Sequence, residues 1–271
     1  MASGIEETVR NEDLTLNLTV ISLSLGAPDD TAKTLTSVKN QTIKPRRHLI
    51  VDSSESDTAI EVEKLCQEAF AEYLWVPPLG IYAAMRASLR ELSDTGYCIF
   101  LNSGDRFAHS GVLEIVRNVL LSNNRNQPDW AIGGLISTRE KTEVSRYMIP
   151  ANEANFGCEL RKGSIWLPHP STIYRTTSLK NVHPFEDNFR IASDYATGLR
   201  MFRQFGAPVL IRDYLSIFEL DGVSSNSPIR VGLENARARL SFFGPTVLPR
   251  ELLRLFRMML DRLLIRICDR P

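Results

Sequence analysis

Cysteine is scarce in this chain of 271 residues: Cys66, Cys98, Cys158 and Cys268 lie far apart and make no C-x-x-C pair. A disulfide frame and a thiolate zinc site are both excluded by that spacing, which predicts reduced, mostly buried thiols in a cytosolic protein. There is no excess of either charge. Lys+Arg and Asp+Glu both number 32, so no global basic field exists to hold nucleic acid. No apolar run is long enough to span a bilayer. The opening MASGIEETVRNED is polar and acidic and lacks the basic start and apolar stretch of a secretory signal. Internal repeats and low-complexity linkers are also missing. The first predicted strand is followed by Gly26 alone, not by G-x-G-x-x-G, which argues against a dinucleotide-binding domain.

What is present is an ordinary soluble composition, 43% hydrophobic and 24% charged, long enough for one large α/β domain or two small ones. The first half alternates. Residues 14–25 predict a strand, and the helix after it is expected to take its cap from Asp29, Asp30 or Thr31. Leu49–Val51 predict a short buried strand with Asp52 at its end. Residues 58–73 read as a helix on the spacing of Ile60, Leu65, Ala69 and Phe70. A short strand at 74–78, a helix at 80–93 and a strand ending near Leu101 complete a pattern that demands a parallel sheet. The second half predicts a helix over 109–123, a strand over 129–138, a helix beginning near Ser193-Asp194, strand structure within 208–225 and a final helix before Gly244-Pro245. Residues 139–165 carry no clear period. His169 stands between two prolines, which confine it to a loop or the start of a strand.

Two predicted strands, then, end in aspartate, Asp52 and Asp105, on one edge of a parallel sheet, where open α/β sheets place ligands. Without a glycine-rich phosphate cradle, a bound diphosphate needs positive charge from elsewhere. A Mg²⁺ or Mn²⁺ ion held by carboxylate oxygen meets that need, and Asp105 is placed for it. Each aspartate also has a plain alternative as a cap or a strand-end turn, and Asp194 reads equally as the N-cap of its helix.

These residues resemble, in order along about 15–225, the motifs of the family 2 inverting glycosyltransferases of the GT-A fold, especially the bacterial exopolysaccharide enzymes of the colanic acid type. V-D-G-G-S-T-D is matched by Val51–Asp57, P-D-x-G-I-Y-D-A-M-N by Pro77–Arg86, F-L-N-S-G-D by Phe100–Asp105, H-Q-x-x-F-x-R by His169–Arg175, S-D-Y by Ser193–Tyr195 and G-V-S by Gly222–Ser224. The resemblance implies a GT-A nucleotide-diphospho-sugar transferase fold, a mostly parallel α/β sheet with helices on both faces, over 14–244. It implies a UDP- or GDP-sugar donor held by Asp52, Ser22, Asn102, Asp105, Arg86 and His169, with the metal on Asp105 and with Arg175 a further candidate for the phosphates. Asp194 would be the general base for a glycan or polyprenyl-linked acceptor. The chain departs from the pattern at Pro78, Ala83 and Arg86, where the family has Asp, Asp and Asn. Those losses fit an alternative in which the fold binds a nucleotide-sugar but turns it over poorly. A nucleotidyltransferase would show a basic, glycine-rich loop after the first strand, and SLSLGAPDD has none.

Outside that core lie a polar extension, 1–13, and a basic amphipathic helix, expected within 245–271. Residues 248–271 hold six arginines against Glu251, Asp261 and Asp269. That pattern suits an anionic membrane face. The alternative is a helix docked on the domain by its leucines with its arginines in water. The expected location is the cytoplasm, with peripheral contact to the inner face of the plasma membrane.

Overall fold

The computed structural model describes residues 16–122, 127–186, 188–220, 228–254 and 256. Strands β1 (Leu16–Ser24), β2 (Pro45–Asp52), β3 (Glu72–Trp75) and β4 (Tyr97–Phe100) alternate with helices α1 (Pro28–Lys39), α2 (Ser56–Ala69) and α3 (Ile81–Arg90). Then come β5 (Arg106–Phe107), α4 (Val112–Ser122), β6 (Trp130–Arg139), β7 (Thr142–Tyr147), α5 (Phe156–Lys162), β8 (Thr172–Arg175), α6 (Thr176–Asn181), α7 (Ser193–Phe205), β9 (Val209–Glu219) and α8 (Pro228–Phe243). The unassigned stretch 139–165 thus supplies β7 and α5.

The strands form one sheet in the order β3-β2-β1-β4-β8-β6-β9-β5, with β7 paired to β6. β3, β2, β1 and β4 run parallel, as does β6 with β9; β8 runs antiparallel to β4 and β6, and β5 antiparallel to β9. Successive β1 side chains point to opposite faces. Leu18 and Val20 pack with residues of α1 and α4, whereas Ile21 and Leu23 join a larger cluster with α3, α5 and α7. Helices therefore cover both faces, as the alternating pattern requires.

Connectivity forces the sheet to curl. β4 sits mid-sheet and β5 at its far end, yet only residues 101–105 join them. Asn102–Asp105 form a tight turn, Asp105 N–H donating to the Asn102 carbonyl at 2.9 Å. A turn spans under about 7 Å, far less than four flat strand spacings of about 4.8 Å each. The β8-β6-β9-β5 half must roll back towards the β4 tip.

Two local expectations need correction. α1 takes no side-chain cap from Asp29, Asp30 or Thr31: it starts at Pro28, whose fixed φ suits the first turn, and the aspartates lie within that turn. In α2 the inward residues are Val62 and Cys66, while Ile60 and Phe70 are exposed. Phe70 ends the helix in the left-handed region and falls outside its face. Cys66 and Cys98 are buried, and burial pushes both thiols up to about 12; Cys158 is exposed and Cys268 lies outside the described residues.

Candidate active site

The turn after β4 is clamped by α1. Thr34 Oγ1 donates to the Asp105 carbonyl at 2.7 Å and accepts from Gly104 N–H at 3.0 Å. Gly104 has φ 94°, a conformation that favours glycine, so the N-S-G-D order meets a backbone demand. Asp105 is 5% exposed, and burial lifts its carboxyl well above the usual carboxylate range, helped by the charge of Glu219; backbone hydrogen bonding at Glu219 and Asn102 opposes the rise. Glu219, the last residue of β9, reaches this point because the sheet rolls. Thr138 Oγ1 donates to its Oε2 at 2.9 Å, whereas Oε1 has no partner among the described residues. Asn102 Oδ1 is likewise buried and unpartnered.

At the β2 tip, Asp52 is fully buried. Ser54 Oγ donates to one carboxylate oxygen at 2.7 Å and Tyr73 OH to the other at 3.2 Å. Ser54 Oγ also accepts from Gly26 N–H at 2.7 Å, so Asp52 organises the β1 and β2 loops rather than facing outward. Ser22 is also fully buried and bonds His48 Nε2 at 3.0 Å. Both were expected on the donor; both are enclosed here, Asp52 by Ser54 and Tyr73 and Ser22 by its contact with His48 on β2. The large apolar side chains exposed at this edge include Leu25, Trp75 and Leu79.

Asp194 occupies the first turn of α7, as expected, but does not cap it, since the N-cap residue is Ala192. One carboxylate oxygen accepts from Tyr195 N–H at 2.8 Å and from Tyr82 OH at 3.3 Å. The residue is partly exposed while protein closely surrounds its carboxyl, and it is the latter that governs the proton: burial raises the group to about 6, with Glu234 adding to the rise. The single Tyr82 hydroxyl proton is shared between Asp194 and the nearer Ile191 carbonyl, and the hydroxyl oxygen accepts from Ser193 N–H at 3.2 Å. Glu234, from α8, accepts from the N–H groups of Ile191 and Ala192 at 2.8 and 3.0 Å. α3 and α8 together hold the start of α7.

Between Asp194 and the Asp105 turn lies a run of rings. Tyr82 stacks on Phe185 at 6.4 Å between centroids, Phe185 meets Phe100 edge-on at 5.1 Å, and Phe100 stacks on His169 at 5.0 Å. His169 begins a single 3-10 turn before β8. Burial lowers it to about 3, so it is neutral, and neither ring nitrogen has a partner among the described residues. Two expected cations lie away from a diphosphate at the turn or are bonded elsewhere. Arg86 donates to the Phe185 carbonyl. Arg175 stands opposite Tyr97 at the beginning of β4, the opposite end of that strand from Asp105, because β8 runs antiparallel; its Nε and Nη2 are buried without a partner among the described residues. It cannot face a diphosphate at the turn. Tyr82, Glu219 and Glu234 went unassigned in the sequence; Tyr82 lies in the G-I-Y-A-A-M block and Glu219 just before the G-V-S block.

Among the described residues no three His, Cys, Asp or Glu side chains converge on an ion position. Asp105, Glu219 and the Asn102 amide nonetheless provide hard oxygen donors, two of them with buried atoms lacking partners. A small divalent ion commonly takes one or two carboxylates and completes its shell with water and phosphate. The residues present fit one.

No protein-family model and no curated protein sequence matches the chain. Solved structures do. TarS of S. aureus superposes with a TM-score of 0.65 at 15% identity, over 89% of this chain and 44% of TarS, so the chain spans less than half of that relative. TarS 1–349 in complex with UDP-GlcNAc gives 0.65 at 14% identity, over 89% and 73% of the two chains. The mannosyltransferase PcManGT from Pyrobaculum calidifontis, in complex with GDP-Man and Mn²⁺, gives 0.56 at 14%, over 88% and 73%. Sheet order and superposition together define a GT-A glycosyltransferase fold.

Proposed function

We propose that the protein is a glycosyltransferase that moves a sugar from a UDP- or GDP-sugar to a glycan or lipid-linked acceptor with inversion, in the assembly of a surface polysaccharide. The observation that carries this reading is Asp194. It is a carboxyl poised near neutrality at a helix start, steadied by Tyr82 and linked by ring contacts through Phe185 to Phe100 of β4, the strand that runs into the Asp105 turn. The relatives in complex with UDP-GlcNAc or GDP-Man and Mn²⁺ support the donor class. The order of the six sequence blocks supports family 2 and the exopolysaccharide type.

In this mechanism Asp194 accepts the proton of the acceptor hydroxyl as the oxygen bonds to the anomeric carbon. The bond to the nucleoside diphosphate breaks on the opposite side, which inverts the centre. Asp105 and Glu219, with Asn102, would hold a Mg²⁺ or Mn²⁺ ion, whose chemistry is to neutralise charge on the departing diphosphate. His169 provides a neutral, unpaired imidazole at the same sheet edge. Transfer assays with a panel of UDP- and GDP-sugars, with the product anomer read by NMR, test the reading; the absence of transfer with every donor would remove it.

Pro78, Ala83 and Arg86, where the family pattern has Asp, Asp and Asn, favour one rival, a GT-A protein that binds a nucleotide-sugar without efficient turnover. It predicts donor-dependent thermal stabilisation without product. The ion assignment has its own test. Mn²⁺ titrated by calorimetry in the presence of UDP should bind at least ~10-fold more weakly to Glu219→Gln and to Asp105→Asn than to the unaltered protein, since each removes a charged oxygen ligand. Equal affinities would remove both ligands from the proposal.

A further inference from the structure

The segment after α8 packs inside out. Residues 248–254 are helical. Their inward side is ionic. Glu251, 2% exposed, receives two hydrogen bonds from the Arg239 guanidinium, at 2.7 and 2.6 Å, and Arg254 donates to Glu251 at 3.2 Å and to the Lys162 carbonyl. The outward side is apolar: Leu248, Leu252, Leu253 and Phe256 are 41%, 58%, 51% and 64% exposed. Over residues 248–256 this is the reverse of the alternative in which the helix docks by its leucines with its arginines in water. An amphipathic helix normally buries its apolar stripe, and nothing among the described residues covers this one.

The rim of the patch is basic. Arg250 is exposed, and Arg161 is exposed beside it, bonded to Thr246 at 2.8 Å. Lys162 pairs with Glu159 at 2.7 Å. The sequence continues RMMLDRLLIRICDRP, adding four arginines against two aspartates. We propose that this face docks on an anionic lipid surface, with Leu248, Leu252, Leu253 and Phe256 entering the interface and the arginines meeting the headgroups. Self-association is the poorer fit, because it would bring two like-charged rims together. The inference stands independently of the sugar-transfer reading.

Truncation at Val247 is a poor test, since it strips Arg239 of its buried partner. Surface substitution in the full chain avoids this. In co-sedimentation, the protein should bind equimolar phosphatidylcholine–phosphatidylglycerol vesicles and bind pure phosphatidylcholine far less. Leu252→Ser/Leu253→Ser, and separately Arg161→Gln/Arg250→Gln, should each weaken binding ~10-fold or more, with unchanged circular dichroism and melting. Unaltered binding by the leucine variant, equal binding to both vesicle types, or no binding to either would overturn the proposal. So would a dimer in sedimentation velocity that the leucine variant abolishes.

Discussion

Asp194→Asn should lose on the order of 10³-fold in kcat while retaining donor affinity, because general-base catalysis contributes roughly 10²–10⁴-fold. Its stability should move the other way. Burial raises the Asp194 carboxyl to about 6 from an ordinary value of 3.8. A folded state that binds a proton more tightly than the unfolded one is favoured while that proton is bound. The advantage is present below about pH 4 and is lost as pH rises through about 6. At pH 7–8 the charged carboxylate therefore costs the fold, by about 1–2 kcal/mol after allowance for its partial exposure. The asparagine variant lacks that charge, so it should melt higher than the unaltered protein at pH 8 and no higher at pH 4. In the unaltered enzyme kcat/KM should rise with unit slope up to about pH 6 and then level. A fully active asparagine variant, or a profile without that inflection, would remove Asp194 as the base.

Glu251→Ala should be the most destabilising single change in the C-terminal part of the described chain. It leaves Arg239, 6% exposed, buried with its guanidinium bonded, among the described residues, to Tyr195 OH at 3.1 Å. Breaking a buried ion pair costs about 3–5 kcal/mol, which in a domain of this size lowers Tm by roughly 10 °C. The double variant Arg239→Met/Glu251→Leu should recover most of the loss, since a well-packed apolar pair avoids an uncompensated charge. Calorimetric melts of the three proteins decide this, and a single variant that melts within a degree or so of the parent would show that the pair is solvated. Tyr195 follows Asp194 in the chain, so Glu251→Ala should also lower kcat more than it changes KM.

The strand-and-helix alternation of the first half was legible because it is local. Apolar runs of strand length end in Asp52 and Asn102, and helices of the right length fall between them. The Asp105 turn was legible for the same reason, a glycine beside a carboxylate at a strand end, and the structure adds that Gly104 lies at positive φ. Asp194 could be placed at a helix start, but its perturbed proton affinity depends on Tyr82 and Glu234, which come from helices far away in the chain. Arg175 was misplaced because a single strand does not announce its direction. The antiparallel run of β8 carries it to the wrong end of the sheet. Asp52 and Ser22 were expected to face the ligand, and only the packed structure reveals that Ser54, Tyr73 and His48 enclose them.

By itself, then, the order of residues determined the parallel half of the sheet, the tight N-S-G-D turn and the helix start bearing Asp194, since each rests on periods and turn chemistry within a few neighbours. The tertiary structure alone decided that Glu219 joins Asp105 and that the last described helix turns its leucines outward. Both follow from long-range closure: a short turn between distant strands rolls the sheet, and a buried Arg239–Glu251 pair sets the helix's rotation.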